Sequence, residues 1–324
     1  MKDIRYFQSA FESYLADQQL DRRPANLYEP VRYIMGLGGK RIRPVLTLMG
    51  AYLFGDRIRE ALPAALAMEI FHNFSLVHDD IMDEAPLRRG QPTVHSRFGL
   101  NAGILSGDVM LIMSYEYLLK SPVDELARNR AVAAFTRAAA EVCEGQQMDM
   151  DFETRSDVSL QEYLTMIEGK TAALLGGCLE VGALVGGGAD TEPLTGFGRK
   201  IGIAFQIQDD YLDTFGDPAK FGKQTGGDIL QNKKTALYLI ALEKADPSRR
   251  DQLLGYYSNE DWDPEEKIRG VTGIFNQLGV PQEARKLKAA YQEEAFRLLD
   301  SVAAPTARKE PLIQLANQLL EREL

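Results

Sequence analysis

Apolar residues recur at spacings of three and four along the whole chain, the period of an amphipathic helix. Alternating β-branched runs joined by Asn-Gly or Asp-Gly turns, the signature of hairpins, are scarce. The pattern predicts an all-α protein with helices over residues 3–18, 28–35, 43–54, 58–83, 101–120 and 123–153. It continues with 160–186, 192–215, 229–245, 264–278, 282–302 and 310–322. Glycine and polar residues interrupt it locally, at 36–39, 88–93, 216–227 and 257–263, but no Pro/Ser/Gly-rich linker separates two halves. One domain over residues 1–324 is therefore expected. The longest apolar run, 171–189, contains Glu180 and several glycines, which fits a buried central helix better than a membrane span. The polar stretch 257–280, with Trp262, receives no role from its sequence.

Two predicted helices end in the same DDxxD pattern, Asp79-Asp80-Ile-Met-Asp83 and Asp209-Asp210-Tyr-Leu-Asp213. On a helix the first and third aspartates stand one turn apart, about 6 Å, on one face. Like charges at that spacing destabilise a helix, and here it happens twice in otherwise apolar segments, so a cation is expected between them.

Composition narrows the partners. Hydrophobic residues make up 45% of the chain, ample for a core, and the net charge of −10 with only short basic pairs argues against nucleic acid. The two cysteines, Cys143 and Cys178, fall in apolar helical segments and read as buried thiols of a reducing compartment, the cytoplasm. The first sixteen residues lack the basic-then-apolar order of a signal peptide.

Three of the breaks are both glycine-rich and basic: 38–44 (GGKRIRP), 86–90 (PLRRG) and 221–228 (FGKQTGGD). Carboxylates one turn apart suit Mg²⁺, which keeps waters and fills its shell with phosphate oxygens. Arginine, lysine and closely approaching glycine backbone suit the phosphate itself. Neither GGKRIRP nor FGKQTGGD has the GxxxxGK[ST] spacing of a nucleotide-binding loop, and there is no GxSxG. The histidines are His72, His78 and His95, too few for a triad to suggest itself, and Glu69-x-x-His72 gives only one of the two copies a di-iron bundle needs. Acidic pairs together with basic phosphate loops point to a metal-held diphosphate that departs as a leaving group.

Read in order, GGKRIRP (38–44), DDIMDEAPLRRG (79–90), EGKT (168–171), FQIQDDYLD (205–213) and GKQTGGDILQNKKT (222–235) resemble the trans-polyprenyl diphosphate synthases. The likeness spans nearly the whole chain, and five motifs in one order are far more specific than a lone DDxxD. It implies the isoprenoid synthase fold, a single bundle of about ten or more helices around a central active-site cavity. It also implies a homodimer, which helices too apolar to stand exposed, such as 102–118, equally suggest without locating the interface.

The resemblance implies that Asp79 and Asp83 bind two Mg²⁺ ions on an allylic diphosphate, with Asp80 beside them, and that Asp209 binds a third. Asp210 and Asp213 would complete that shell. Arg88, Lys170, Thr171, Gln206, Lys223 and Lys233 would hold the allylic diphosphate, while Lys40, Arg43, His72 and Arg89 would bind isopentenyl diphosphate without metal. His72 stands seven residues before Asp79, within about 20° on the same helical face. His78 and His95 read as ordinary packed histidines.

In such families bulk at the fourth and fifth residues before the first aspartate limits the product, and here these are Ser75 and Phe74. A large fifth and small fourth residue resemble short-chain synthases making C20 geranylgeranyl diphosphate, with C15 farnesyl diphosphate the alternative and longer chains less favoured. A terpene cyclase would lack GGKRIRP and the second DDxxD, and a silent regulatory subunit would have lost one aspartate motif. The two motifs are expected to act as two jaws of one Mg²⁺-diphosphate clamp.

Overall fold

The computed structural model describes residues 2–216, 225–258 and 261–321. Among the described residues the regular elements are helices apart from one hairpin of two-residue strands. The elements run α1 (Ile4–Ala16), α2 (Ala25–Gly36), α3 (Ile42–Phe54), α4 (Ile58–Met82), β1 (Leu87–Arg88), β2 (Gln91–Pro92), α5 (Val94–Phe98), α6 (Leu100–Leu119) and α7 (Glu125–Thr154). After α8 (Leu160–Ile167) a π-helical turn, Glu168–Ala172, leads into α9 (Ala173–Gly186), α10 (Glu192–Phe215), α11 (Gly227–Leu230) and α12 (Ala236–Lys244). The chain closes with α13 (Pro247–Ser258), α14 (Pro264–Gln277), α15 (Val280–Ser301) and α16 (Thr306–Leu320).

Three differences from the sequence pattern have local causes. The expected 160–186 helix is interrupted by the π turn, and the expected 229–245 helix breaks at residues 231–235, where Asn232 adopts φ 55°. Helix α13 lies in a stretch of low amphipathicity that periodicity passes over. Cys143 also corrects the buried-thiol expectation. It sits on the outward side of α7 and is exposed, while Cys178 is buried.

The chain divides into two compact units, Met1–Ala139 with Gly177–Thr195 and Val302–Gln314, and Ala140–Gly176 with Gly196–Ser301 and Leu315–Leu324. In the first, Phe7, Phe11, Leu48, Leu53, Leu66, Met68 and Phe71 are fully enclosed. Helix α9 reaches α3 through glycines: a Cβ on Gly182 would fall 1.9 Å from the Thr47 carbonyl oxygen, and one on Gly50 2.6 Å from that of Leu179. The glycine-rich apolar run is thus a buried helix whose small residues permit backbone contact. Helix α6 differs. It is long and apolar enough to cross a membrane, and it exposes Leu105, Ile112 and Leu119 in one stripe at seven-residue spacing.

In the second unit Tyr163, Ile207, Leu212, Leu237, Leu253, Val271, Phe275 and Val280 share one core. Here α7 crosses the π turn so closely that a Cβ on Gly145 would fall 2.1 Å from the Lys170 amide nitrogen.

Candidate active site

Helix α4 ends in its aspartates, and carboxylates at a helix C-terminus oppose the macrodipole, an arrangement that a bound cation would relieve. The three are not equivalent. Asp79 is partly exposed and Asp83 exposed, whereas Asp80 is completely buried. A buried carboxylate needs partners, and Arg88 on β1 supplies them. Its Nε lies 2.8 Å from both Asp80 oxygens, and its Nη2 lies 2.6 Å from Asp80 and 3.6 Å from Asp79. Asp80 therefore holds Arg88 toward Asp79, a more specific task than the place beside Asp79 and Asp83 that the resemblance implies.

The adjoining Arg89 has φ 53° and donates to the Gly38 carbonyl. A Cβ on Gly39, where φ is +132°, would fall 2.9 Å from the Arg89 guanidinium. The glycine pair of GGKRIRP thus seats Arg89, where the sequence had suggested room for phosphate. The Tyr33 hydroxyl donates to Pro92 at 2.7 Å and pins the hairpin that carries both arginines.

Lys40 is exposed at the mouth of the same loop, and Arg43 opens α3. Between them Arg41, which sequence reasoning passed over, is buried with φ 48°. It donates to Glu69 at 2.5 Å and to the Met35 carbonyl at 2.7 Å. That buried pair anchors the loop to α4 three residues before His72.

Arg43 Nη1 lies 3.0 Å from His72 Nε2. Arginine only donates, so Nε2 accepts and the ring proton sits on Nδ1. Burial, then Arg43, Arg89, Arg88 and Arg41, hold His72 well below its ordinary 6.5, in the neutral form. The buried Arg43 Nε has no hydrogen-bond partner among the described residues, which marks a place for an anion's oxygen.

The lowered His72 pKa fixes the sign of a pH effect. The unfolded chain takes up this proton below about pH 6.5 and the folded chain resists it, so the stability His72 contributes is present above 6.5 and lost as pH falls. His72→Gln keeps an acceptor for Arg43 and cannot titrate. Its melting temperature is expected to drop less than the wild type's between about pH 7.5 and pH 5.5, as differential scanning calorimetry would read.

Phe74 is 8% exposed, packed against Phe71 at 5.4 Å and His78 at 4.9 Å between ring centroids, and Phe71 meets Phe135 at 5.3 Å. The Ser75 hydroxyl turns back to the His72 carbonyl at 2.9 Å, adding no bulk beyond the helix. His78 lies against Gly107 with Nε2 3.2 Å from the Ile104 carbonyl, and His95 Nδ1 lies 3.3 Å from the Thr93 hydroxyl.

In the second unit the middle aspartate is again the buried one. Asp210 receives the Tyr163 hydroxyl, the Ala236 amide at 3.0 Å and Gln206 Nε2 at 3.2 Å. Burial pushes its carboxyl up to about 7, with the three donors acting in the opposite direction. Asp209 stays partly exposed. Asp213 accepts the Asp228 amide on its carboxylate at 2.9 Å and the Gly226 amide on its carbonyl at 2.6 Å, so it mounts the start of α11.

Gln206 continues from Asp210 to the Thr171 hydroxyl, 3.4 Å away. Lys170 projects from the π turn, a feature frequent at functional sites, and pairs with Asp149 at 2.5 Å. Lys233 is exposed, 3.7 Å from Asp228, and its neighbour Lys234 caps the end of α7 through the Phe152 carbonyl at 2.5 Å. Lys223 lies outside the described residues.

Among the described residues no three His, Cys, Asp or Glu side chains form a ready metal cage. Magnesium needs none, since it takes one or two carboxylates and completes its shell with water and phosphate oxygens. In the first unit the partly exposed Asp79 and the exposed Asp83, and in the second the partly exposed Asp209, each offer carboxylate oxygens of the kind that chemistry uses.

Comparison with known proteins shows the family of the chain. The polyprenyl synthetase family model matches residues 24–273. A geranylgeranyl diphosphate synthase from Methanosarcina mazei is 37% identical over 93% of this chain and 91% of its own length. The crystal structure of geranylgeranyl pyrophosphate synthetase from Pyrococcus horikoshii superposes with a TM-score of 0.91 at 33% identity, covering 99% of this chain and 97% of that one. That of the geranylgeranyl pyrophosphate synthase from Corynebacterium glutamicum, complexed with isoprenyl diphosphate and magnesium, gives 0.82 at 30% identity over 99% and 96%.

Proposed function

Because the chain belongs to the polyprenyl synthetase family, a family of prenyltransferases, we propose that it condenses isopentenyl diphosphate with allylic diphosphates to make C20 geranylgeranyl diphosphate. The observation that carries the product length is Phe74, enclosed by Phe71 and His78 five residues before Asp79, with the small Ser75 beside it.

Asp79, Asp83 and Asp209 would hold magnesium, three ions by the family resemblance, which when bound neutralises the charge of the departing diphosphate. The protein's own groups account for the rest. Arg88, held by Asp80, and Lys170, Thr171, Gln206, Lys223 and Lys233 bind the allylic diphosphate. Lys40, Arg43, His72 and Arg89 bind isopentenyl diphosphate, with the unpaired Arg43 Nε and the His72 Nδ1–H as donors. The allylic C–O bond breaks and leaves an allylic cation. The isopentenyl double bond attacks it to form the new C–C bond, and a proton leaves to the released diphosphate. No protein base is required, in keeping with a neutral, hydrogen-bonded His72. A dry site is needed to protect the cation, and the apolar α4 wall favours one.

The sequence carries no Pro/Ser/Gly-rich linker, which supports reading residues 1–324 as a single polyprenyl synthetase domain. The exposed Leu105, Ile112 and Leu119 stripe, with Leu126 nearby in sequence, is read as the homodimer interface of a cytoplasmic enzyme, not as a membrane contact. Purified protein given isopentenyl and dimethylallyl diphosphates should release diphosphate only with Mg²⁺ present and stop on chelation. Diphosphate release without isopentenyl diphosphate, yielding a hydrocarbon, would instead favour a cyclase.

A further inference from the structure

The described residues of the 257–280 stretch, which the sequence left without a role, include the end of α13 and all of α14 and carry a buried cation. Lys267 is 5% exposed, and its Nζ donates to Asn232 Oδ1 at 2.6 Å. The same ammonium stands 5.7 Å from the Tyr257 ring, itself stacked on Tyr238 at 4.1 Å. Burying a lysine is costly unless its bonds are made, so this contact has a purpose to be sought at its other end.

That end is the stop of α11. Asn232 has φ 55°, its amide reaches the Ile229 carbonyl at 3.2 Å, and the Lys233 amide reaches the Asp228 carbonyl at 2.9 Å. These two bonds around one left-handed residue are the Schellman termination of a helix, usually built on glycine. Asparagine tolerates the left-handed region but does not prefer it as glycine does. Its amide side chain gives what glycine lacks, an oxygen for Lys267. The residue that follows, and whose direction the turn decides, is Lys233.

The next residue of α14 supports the other end of the turn. A Cβ on Gly226, where φ is +87°, would fall 2.7 Å from Ile268. Asp213 of the second aspartate motif holds Gly226 and Asp228 by their amides. The segment from Gly226 to Lys233 is thus fixed by Asp213 from one side and by Lys267 and Ile268 from the other.

We propose that Lys267 is a positioning residue of the reaction: through Asn232 it fixes the left-handed turn that aims Lys233 at the allylic diphosphate. This rests on the assignment of Lys233 as an allylic-diphosphate contact. The test is steady-state kinetics of the full-length, Mg²⁺-supplied protein as K267M, N232G, K233A and K267M/K233A, varying each substrate in turn. K267M and N232G are each expected to raise the allylic KM about tenfold, the scale of one charged hydrogen bond, with the isopentenyl KM unchanged. K267M should cost nothing further in the K233A background, because a positioning role disappears with the group positioned. N232G keeps the left-handed backbone but removes the oxygen through which Lys267 holds the turn in place, so it gives the same readout should K267M not fold. An unchanged allylic KM, an equal rise in both KM values, or an undiminished cost in K233A would overturn the proposal. If K233A itself matches wild type, the assignment of Lys233 fails and the positioning role with it; if K233A is impaired while K267M and N232G are not, only the role of Lys267 fails.

Discussion

Asp79→Ala and Asp209→Ala are each expected to lower kcat by about a thousandfold or more, the scale of lost electrostatic stabilisation of a leaving group, while the helical circular dichroism spectrum and the melting transition survive. The expectation rests on where these carboxylates stand. Both are only partly enclosed, while the neighbours Asp80 and Asp210 carry the internal bonding of their helix ends through Arg88, Tyr163 and Ala236. Asp80→Ala supplies the contrast. It removes the nearest anion from the Arg88 guanidinium and leaves only Asp79 at 3.6 Å, so this variant should lose stability as well as activity. Chemistry lost with the fold kept at positions 79 and 209, and fold weakened at position 80, would separate the two kinds of aspartate. Full activity in either Asp79→Ala or Asp209→Ala would refute the reading that both motifs serve one reaction.

Phe74→Ala is the second large effect, on product rather than rate. Phe74 is 8% exposed and in ring contact with Phe71 and His78, so truncating it removes most of a buried aromatic side chain. Ser75 bonds back to its own helix and leaves nothing to fill the space. The variant should extend its product beyond the wild type's by at least one isoprene unit, read by mass spectrometry of the dephosphorylated alcohols. The vacated volume should also cost about 3–5 kcal/mol of stability, the usual range for a buried Phe→Ala change. An unchanged product would remove Phe74 as the limit on length and shift attention to the Phe71–Phe135 contact beneath it.

The long helices were legible because each needs one apolar stripe, and that stripe is written locally in the sequence. Helix α10, Glu192–Phe215, falls where periodicity puts it, and the α4 and α7 boundaries shift by one or two residues. What periodicity passes over is short or smooth. The five-residue α5 and the hairpin that carries Arg88 and Arg89 have too few residues for a period to show. The π turn at Glu168–Ala172 leaves the apolar pattern of 160–186 unbroken and changes only the backbone winding. The break before α12 follows from a left-handed Asn232, a residue equally at home on a helix surface.

The candidate site divides in the same way. The charged residues that would meet substrate stand out in sequence because they sit in glycine-rich breaks or in repeated aspartates. Their supports, Glu69 for Arg41, Tyr163 for Asp210 and Lys267 for Asn232, are 28, 47 and 35 residues away along the chain. Nothing local in a tyrosine or a lysine records such a partner. The GGKRIRP glycines show the same limit: their need is set by Arg89, 51 residues from Gly38.

The most direct measurement is the size of what the wild-type protein makes. Incubated with Mg²⁺, isopentenyl diphosphate and, in turn, dimethylallyl, geranyl and farnesyl diphosphate, it should convert each primer to the same C20 geranylgeranyl diphosphate. A product of C35 or longer, or no condensation from any primer, would contradict the account.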